Sequence, residues 1–543
     1  MTPGPRGIRM PPRPEDGRGG RRMRRTIGRR FGAAGLLASL GLAATALAGD
    51  AAVDRVVSVQ AVRPDRQAEA VIELFRGSRA ESPAAAMASW RRATGDPNGL
   101  NKAVQAVAAL FNPETAREWR AFDGAGLAAG LDADGRLRWS AAVPRDDGSV
   151  AALVTSMRLS GGSDEPPTPE GWPVRRLGGP DAALAAVTPS GVAFAGRRPE
   201  LEATVARLTA PRALEGRALS QASGDGFHVT FLPAALPAEV PADWARPIAA
   251  VRASGLRLAT GVLGLRDDRL DLDLGSDFDP AKAALLDVPP VDAAWLAWMP
   301  ADATRAAVAL SAGRGPAFWD ALFDLADRVD RADPARAQLQ PLRARLNLLA
   351  LVRGVRPEAD LWPLVRGVAA GAFDDGGAVV AIVAGTPEDA DRIARRVVLP
   401  LAPLLGGKPA AAAPGEVVAI GRASGKPVET AVRGATVLIG WGEGSLGRAL
   451  KSAEAPEQSV APLVAAEGRP AGRVGAFRPG LLPLPASIGR AGPLAATLAE
   501  AAPAVWRGGW DDGRAWDVVR WGDLRRVVAR FLERVPQAPP EAP

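Results

Sequence analysis

The segment of this sequence best suited to chemistry lies near the C-terminus, where indoles and carboxylates alternate. Six residues form the candidate ligand-binding set: Trp506, Trp510, Trp516, Trp521, Asp511 and Asp512. Tryptophan platforms beside paired acids are what glycan binding or glycoside hydrolysis requires. The same segment also fits a β-hairpin that turns at the two aspartates and packs its tryptophans as core, so both interpretations stay open.

Most other catalytic chemistry is excluded by what the sequence lacks. The chain has no cysteine, no tyrosine and one histidine, His228, so disulfides, thiolate zinc sites and thiol nucleophiles are impossible. His228 stands on a predicted strand, GFHVTF, with no second histidine to share a metal, and we interpret it as a packed residue. We expect no catalytic residue, no metal site and no cofactor.

Two glycine-containing segments resemble nucleotide-binding loops. Gly442-x-Gly444-x-x-Gly447 lies between an apolar strand and a helix, but no parallel βαβ pattern surrounds it, so a tight turn explains it. The segment 421–427, GRASGKP, is one residue short of a phosphate loop and ends in proline where a magnesium-binding hydroxyl is required.

An acidic run in the middle of the chain suggests calcium, yet it lacks the oxygen order and the central glycine of a calcium loop. Its members are Asp267, Asp268, Asp271, Asp273, Asp277 and Asp279. Leu270, Leu272 and Leu274 alternate with aspartates, which predicts a strand with leucines on a packed face and aspartates on a wet face.

The N-terminus has the three parts of a secretory signal over residues 1–48, with Met23 as an alternative start. The arginine-rich segment 21–30 precedes the uncharged stretch 31–48. That stretch ends in Ala46-Leu47-Ala48, a small-x-small cleavage site. We predict export to the periplasm or cell envelope. The alternative is an inner-membrane anchor formed by residues 31–48, the only route to membrane association that the sequence offers.

The basic character of the chain belongs to this leader. The net charge is +7 overall, but residues 1–48 hold ten arginines and two acids, which leaves 57 basic and 58 acidic residues, or −1, in 49–543. We therefore expect no nucleic-acid partner.

Comparison of the sequence with itself predicts a tandem duplication. Three pairs of blocks recur in the same order at offsets of 241 to 245: 126–135 with 367–376, 186–205 with 431–450, and 260–274 with 504–518. The last pair places Asp511 and Asp512 opposite Asp267 and Asp268. The predicted organisation is a first repeat at 55–280, a linker at 281–287, a second repeat at 288–535 and a frayed tail at 536–543.

Each repeat is predicted to be α+β. The first and third blocks are β-hairpins, and the second is a strand followed by a helix. Hairpins require antiparallel pairing, so we expect each half to be a hairpin-rich antiparallel sheet with helices packed on one face.

The segment Trp298-Met-Pro300-Ala-Asp302-Ala-Thr304 is predicted to close a strand at the head of the second half. Together with the export signal and the duplicated hairpins, it resembles uncharacterised exported proteins of GC-rich bacteria. That resemblance implies an envelope protein and brings no catalytic residues.

These patterns favour a non-catalytic binding or scaffolding protein of the envelope, with an unidentified envelope ligand or protein as its partner. The alternative is a glycan-directed hydrolase that uses the carboxylate pair near the C-terminal hairpin. The second half holds nine of the fourteen tryptophans, and we expect it to carry the recognition surface.

Overall fold

The computed structural model describes most of the chain between residues 56 and 534. The described residues are 56–86, 111, 116–132, 136–144, 148, 150–152, 154–155, 162–179, 182–209, 224–236, 242–280, 287–313, 316–332, 354, 360–408, 415–465, 469–481, 492–511 and 513–534. The predicted leader, most of the predicted linker and the predicted tail lie outside them, so these assignments remain predictions.

Nineteen strands and nine α-helices lie within the described residues. The strands are β1 Val57–Val62, β2 Gly126–Leu131, β3 Leu137–Pro144, β4 Ser163–Glu165, β5 Val174–Arg176, β6 Leu184–Thr188, β7 Gly191–Ala195, β8 Gly226–Phe231, β9 Leu256–Arg266, β10 Arg269–Phe278, β11 Thr304–Ser311, β12 Val365–Phe373, β13 Ala378–Ala384, β14 Val418–Ala423, β15 Lys426–Arg433, β16 Thr436–Trp441, β17 Arg473–Phe477, β18 Ala504–Asp511 and β19 Arg514–Trp521. The helices are α1 Pro64–Glu73, α2 Arg198–Thr209, α3 Ala242–Ser254, α4 Pro316–Ala332, α5 Pro387–Ile393, α6 Ser445–Glu454, α7 Ala461–Ala465, α8 Gly492–Ala499 and α9 Leu524–Arg534.

Local sequence signals account for many of these boundaries. The apolar run 378–384 forms β13, and the Thr386 hydroxyl accepts a hydrogen bond of 3.1 Å from the Asp389 amide at the start of α5. Pro316 occupies the first turn of α4, where its missing N–H costs nothing. The predicted hairpins β2–β3, β12–β13, β9–β10 and β18–β19 are all present.

All nineteen strands belong to one antiparallel sheet. Read from one edge to the other, the strand order is β4-β5-β6-β7-β3-β2-β1-β8-β9-β10-β19-β18-β17-β11-β12-β13-β16-β15-β14. The pairing of β10 with β19, here called the seam, joins the part of the sheet before residue 280 to the part after residue 300. Mixed α+β architecture with antiparallel pairing is confirmed.

The strand order is the same on both sides of the seam. Outward from it, β10-β9-β8-β1-β2-β3-β7-β6-β5 corresponds, strand for strand, to β19-β18-β17-β11-β12-β13-β16-β15-β14. The three pairs of sequence blocks occupy equivalent places in this order. Only β4, at one edge, has no counterpart among the described strands.

The register at the seam defines a symmetry axis for this correspondence. Asp273 lies opposite Val518, which is its own counterpart at an offset of 245 residues. A strand that pairs antiparallel with its own equivalent, equivalent residue against equivalent residue, is related to it by an approximate twofold axis perpendicular to the sheet. Counterpart residues therefore lie on the same face of the sheet, and we call the faces by their seam residues: face A carries Asp273, and face B carries Leu272.

The expectation of two separate sheets with helices on one face is wrong. Helices cover both faces, because the central strands bury residues on both. Val437 and Leu438 are adjacent on β16 and both fully buried, yet Val437 packs under α5 on face B and Leu438 under α6 on face A. The apolar strand β7 is buried at all five positions, as in strands of a sheet covered by two layers.

The predicted end of a strand at 298–304 is also wrong. Residues 298–303 form a turn before β11, and only Pro300 makes a bridge, to Ser459. The reason is packing: Met299 is fully buried, with its sulfur against Gly371, where a Cβ would come within 2.5 Å.

Charged side chains tie the two sides of the seam together on face A. Asp271 accepts a bond of 2.7 Å from Arg269 and lies 3.4 Å from Arg520, which also bonds Asp273 at 2.6 Å. Further along, Arg514 bonds Asp277 at 2.5 Å. The wet face predicted for Asp271 is therefore wrong: Asp271 is only 1% exposed, because Arg269 of its own strand and Arg520 from the other side of the seam cover it, whereas the Asp273 side chain is 38% exposed.

Replacing Asp271 with asparagine is expected to destabilise the protein by about 1–3 kcal/mol, because a buried charge-assisted network loses its anion. Guanidinium-chloride unfolding of the full chain measures this. Asp267→Asn is the matched control: Asp267 is exposed in the adjoining turn at φ 55°, which asparagine tolerates, so its change is expected to stay within about 0.5 kcal/mol. Equal effects of the two changes would contradict the role given to the seam network.

A separate ion pair, away from the seam, fixes the junction between β1 and α1. Arg63 has a left-handed backbone with φ 51°, and its guanidinium contacts Asp65 at 3.2 Å. Burial acts to raise the pKa of Asp65, but hydrogen bonds from the Arg63 guanidinium and the Arg66 amide outweigh it and hold the pKa below its ordinary value.

The contribution of Asp65 to stability is therefore expected to depend on pH. A carboxyl whose pKa is lowered in the folded state stabilises at neutral pH, and the contribution disappears as the pH falls through the lowered pKa, below about pH 4. Asp65→Asn is expected to be less stable than the parent at pH 7 and to approach it near pH 2.5 in urea unfolding. Glu69→Gln, an exposed change on the same helix, serves as the control, and a gap for Asp65→Asn that stays constant with pH would count against this account.

Candidate functional site

The tryptophans of the candidate set lie on both faces of the sheet. Strand alternation and the register of β18 with β19 put Trp506 and Trp510 on face B and Trp516 on face A. Trp521 also lies on face B, where it packs beside α9 with Leu265 and Leu524. The hairpin therefore does not present its four indoles as one platform.

Two of these indoles each lie over a glycine of the neighbouring strand. A Cβ added at Gly475 would come within 3.3 Å of the Trp506 ring, and one at Gly509 within 2.8 Å of the Trp516 ring. Each glycine is the direct cross-strand partner of its tryptophan. The missing side chain leaves room for the ring to lie flat against the sheet.

Beside Trp506 on face B, an arginine and an aspartate meet across the strand between them. Arg473 on β17 bonds Asp517 on β19 through two bonds, from Nε to Oδ1 at 2.8 Å and from Nη2 to Oδ2 at 2.7 Å. The Trp506 indole N–H donates to the same Oδ1 at 2.9 Å. Gly508 on β18 lies directly beneath, and a Cβ there would come within 2.2 Å of the Asp517 carboxylate.

This ion pair is half-buried. The Arg473 side chain is 15% exposed and that of Asp517 is 20% exposed. Leu310, which pairs with Arg473 in register, is 46% exposed, so the neighbouring part of face B meets solvent. We call the group of Trp506, Trp510, Arg473 and Asp517, with Gly508 beneath it, the indole–ion-pair surface.

The counterparts of this surface in the first half are apolar. Arg473, Asp517 and Gly508 correspond through the strand registers to Phe227, Leu272 and Leu263. Phe227, Leu263 and Leu272 are half-buried apolar side chains on the same face, and Phe227 packs against the cluster around Val143 and Phe194. The fold therefore accommodates hydrophobic packing at this place, and nothing in the topology requires an ion pair there.

The predicted carboxylate pair takes a different form. Asp511 ends β18 and bonds Arg469 at 2.6 Å, and the Arg469 guanidinium lies 4.3 Å over the Trp516 ring on face A. Asp512 lies outside the described residues. The register also corrects the alignment of these acids: Asp511 pairs with Arg514 as Arg266 pairs with Arg269, so the counterpart of Asp511 is Arg266 rather than Asp267.

The remaining motifs have structural explanations. His228 is buried, and its Nε2 donates to the Gly224 carbonyl at 2.9 Å, which holds the segment before β8. Gly442 and Gly444 adopt positive φ angles of 101° and 66° in the turn from β16 to α6. Residues 421–427 contain the hairpin turn between β14 and β15.

Sequence reasoning named Trp506 and Trp510 but missed Arg473 and Asp517. Asp517 follows Trp516 directly, yet its partner is 44 residues away, and only the pairing of β17 with β18 brings them together. The one available signal is the glycine pair 508–509 inside a strand, because glycine in a strand marks close approach of another group.

Comparisons with known proteins add no family. No protein-family model matches the chain, and no curated protein matches it. Two solved structures show remote similarity: crystal form IV of TP0453, with a TM-score of 0.23 and 11% identity over 44% of this chain and 84% of that one, and crystal form I of TP0453, with 0.21 and 8% over 43% and 78%. Similarity this remote carries no argument about fold or function here.

Within the part of the chain that the structure describes, none of the helices combines the length and apolarity needed to cross a bilayer.

A methyl group at residue 508 is expected to break the indole–ion-pair surface. Gly508→Ala would place Cβ against the Asp517 carboxylate and Arg473 Nε, and the strand backbone beneath cannot retreat, so we expect a loss of about 2–3 kcal/mol and a red shift of indole emission. Gly447→Ala is the control, since nothing lies within 4 Å of its Cβ position. Thermal unfolding followed by tryptophan fluorescence measures both, and an unchanged emission maximum in Gly508→Ala would refute the assignment.

Proposed function

We propose that this chain is an exported, non-catalytic binding protein of the cell envelope, built from two copies of one α+β module, and that it recognises its ligand through the indole–ion-pair surface of the second half. The observation that carries the proposal is the Arg473–Asp517 pair at a place where the other half is apolar. An ion pair in a half-buried position is costly to desolvate, and hydrophobic residues of similar size generally serve stability at least as well. A pair kept at such a place is better explained by recognition than by folding.

The chemistry of the surface suits a sugar ring. Trp506 and Trp510 lie two residues either side of Gly508 on one face, so two indole groups flank the charged pair. Aromatic rings pack against the C–H face of a pyranose, while a carboxylate and a guanidinium accept from and donate to its hydroxyls. The ligand we propose is an envelope glycan.

Duplication is supported by the matching strand order and by the seam register. Nine strands recur in the same order on each side of the approximate twofold axis, at offsets close to those of the sequence blocks. Export is supported by the composition of residues 1–48, and an acidic balance of −1 in 49–543 favours an envelope ligand over nucleic acid.

Hydrolysis is not what the surroundings of Asp511 favour. A glycosidase needs two carboxyl groups facing each other across the substrate bond. Among the described residues, Asp511 has an arginine as its partner, and Asp517 is held by Arg473 and Trp506.

A fluorescence titration of the full chain tests the proposal. Oligosaccharides of N-acetylglucosamine, glucose and mannose, titrated one at a time, are expected to quench or shift indole emission for at least one sugar. Trp510→Ala is expected to weaken that binding about tenfold, because an aromatic platform contributes about 1.4 kcal/mol or more. Trp139→Ala is the control, as Trp139 lies in the first half over Gly196, the residue that follows β7.

The outcomes separate the alternatives. No response to any sugar, with a response to envelope peptides, would replace the glycan by a peptide ligand, and no response to either would contradict a binding role for this surface. Release of reducing sugar that vanishes in Asp511→Asn would establish the hydrolase instead.

A further inference from the structure

A polar cleft lies in the first half, remote in sequence from the indole–ion-pair surface. It is a cleft of about 480 Å³ between the first turn of α1, the segment before β8 and the end of β9. Its lining consists of Arg66, Gln67, Gly224, Asp225, Leu265 and Arg266. A volume of this size accommodates a small organic molecule.

Gln67 forms the floor of the cleft and is held in one orientation. It is only 7% exposed, and its Oε1 accepts a bond of 2.7 Å from the Leu265 amide, which lies beyond the end of the β8 pairing. Because the oxygen is engaged, the Nε2 group is left to donate to a molecule in the cleft.

Guanidinium groups stand on two sides. Arg66 bonds Asp225 at 2.7 Å, which fixes both side chains at the mouth. Arg266 is exposed, has no ion-pair partner among the described residues, and lies 3.0 Å from the Cβ position of Gly224. The cleft thus presents two cations, one carboxylate and one amide.

The counterparts in the second half show that the fold does not need these groups. Both α1 and α4 begin with proline, so Arg66 and Gln67 correspond to Phe318 and Trp319, and Trp319 is buried in an aromatic cluster. Asp225 corresponds to the buried Ala471 through the registers of β8 and β17. Arg66 and Gln67 therefore stand where the second half packs aromatic rings, whereas Arg266 corresponds to Asp511, which is also charged.

We propose that this cleft binds a small phosphorylated polyol. Arg66 and Arg266 would hold the phosphate through charge-assisted bonds, Gln67 Nε2 would donate to it from the floor, and Asp225 would accept from a hydroxyl. The phosphate group is the shared chemistry, and it can belong to a soluble sugar phosphate or to a lipid headgroup.

Isothermal titration of the full chain with glucose 6-phosphate tests the site, with glucose and inorganic phosphate in parallel. The expected result is binding of glucose 6-phosphate, weaker binding of phosphate and none of glucose at the same concentration. Arg266→Ala is expected to weaken binding at least tenfold. Arg257→Ala, which removes an exposed arginine from the other end of β9, is expected to change it less than twofold.

A second variant and a second ligand keep the result unambiguous. Arg66→Gln is expected to weaken binding as well, with far-ultraviolet circular dichroism confirming that the fold is retained. Sedimentation with phosphatidylglycerol vesicles in place of the sugar phosphate shows whether a headgroup is the source. Binding to neither, or equal losses in Arg266→Ala and Arg257→Ala, would overturn the proposal, and neither result bears on the indole–ion-pair surface.

Discussion

The pairing of β10 with β19 is the constraint on which the rest of the molecule depends. Without it, β10 would leave unpaired backbone donors and acceptors along ten residues and β19 along eight. Exposed strand edges of this length promote aggregation. With it, nineteen strands share one hydrogen-bonded sheet. Aspartates of β10 and arginines of β19 then meet in register on face A, so the seam is specified by charge as well as by backbone.

The seam also dictates which helices meet. Because the two sides are related by an axis perpendicular to the sheet, elements near the seam approach elements of the other side. Leu74 and Phe75, at the end of α1, pack with Leu524 and Val528 of α9, more than 440 residues later in the chain. Helix α3 likewise contacts α4 across the boundary between the halves. The halves hold each other through helices as well as through strands, which explains why one sheet formed where the sequence suggested two.

The sequence predicts local structure better than it predicts the surfaces. Hairpins, the Thr386 cap and the strand–helix blocks follow from alternation and turn chemistry within about twenty residues, and each is present. Helices on both faces could not be read from alternation, because β13 is apolar at every position, β16 is apolar after Thr436, and neither sequence carries a period of two. The Arg473–Asp517 pair depends on the order of β17, β18 and β19, which no local pattern encodes. The recurring sequence blocks were visible, but a gapless comparison placed the last block one residue away from the register of the hairpins, and that error moved Asp511 from a strand end into a turn.

The two polar sites do not coincide when one half is laid on the other. Arg473 and Asp517 correspond to Phe227 and Leu272 of the first half. Gln67 and Arg66 correspond to Trp319 and Phe318 of the second half. In a symmetric homodimer every substitution occurs twice, so a polar group introduced for recognition would disturb the core at both places. When the two copies are fused in one chain, a substitution occurs only once. One copy can then keep the aromatic or aliphatic packing that stabilises the fold, while the other copy exposes a charged surface. If the two halves arose by duplication and the two surfaces bind ligands, as proposed above, then fusion across the seam is the step that allowed polar surfaces to arise in one copy while the other copy kept apolar residues at the equivalent places.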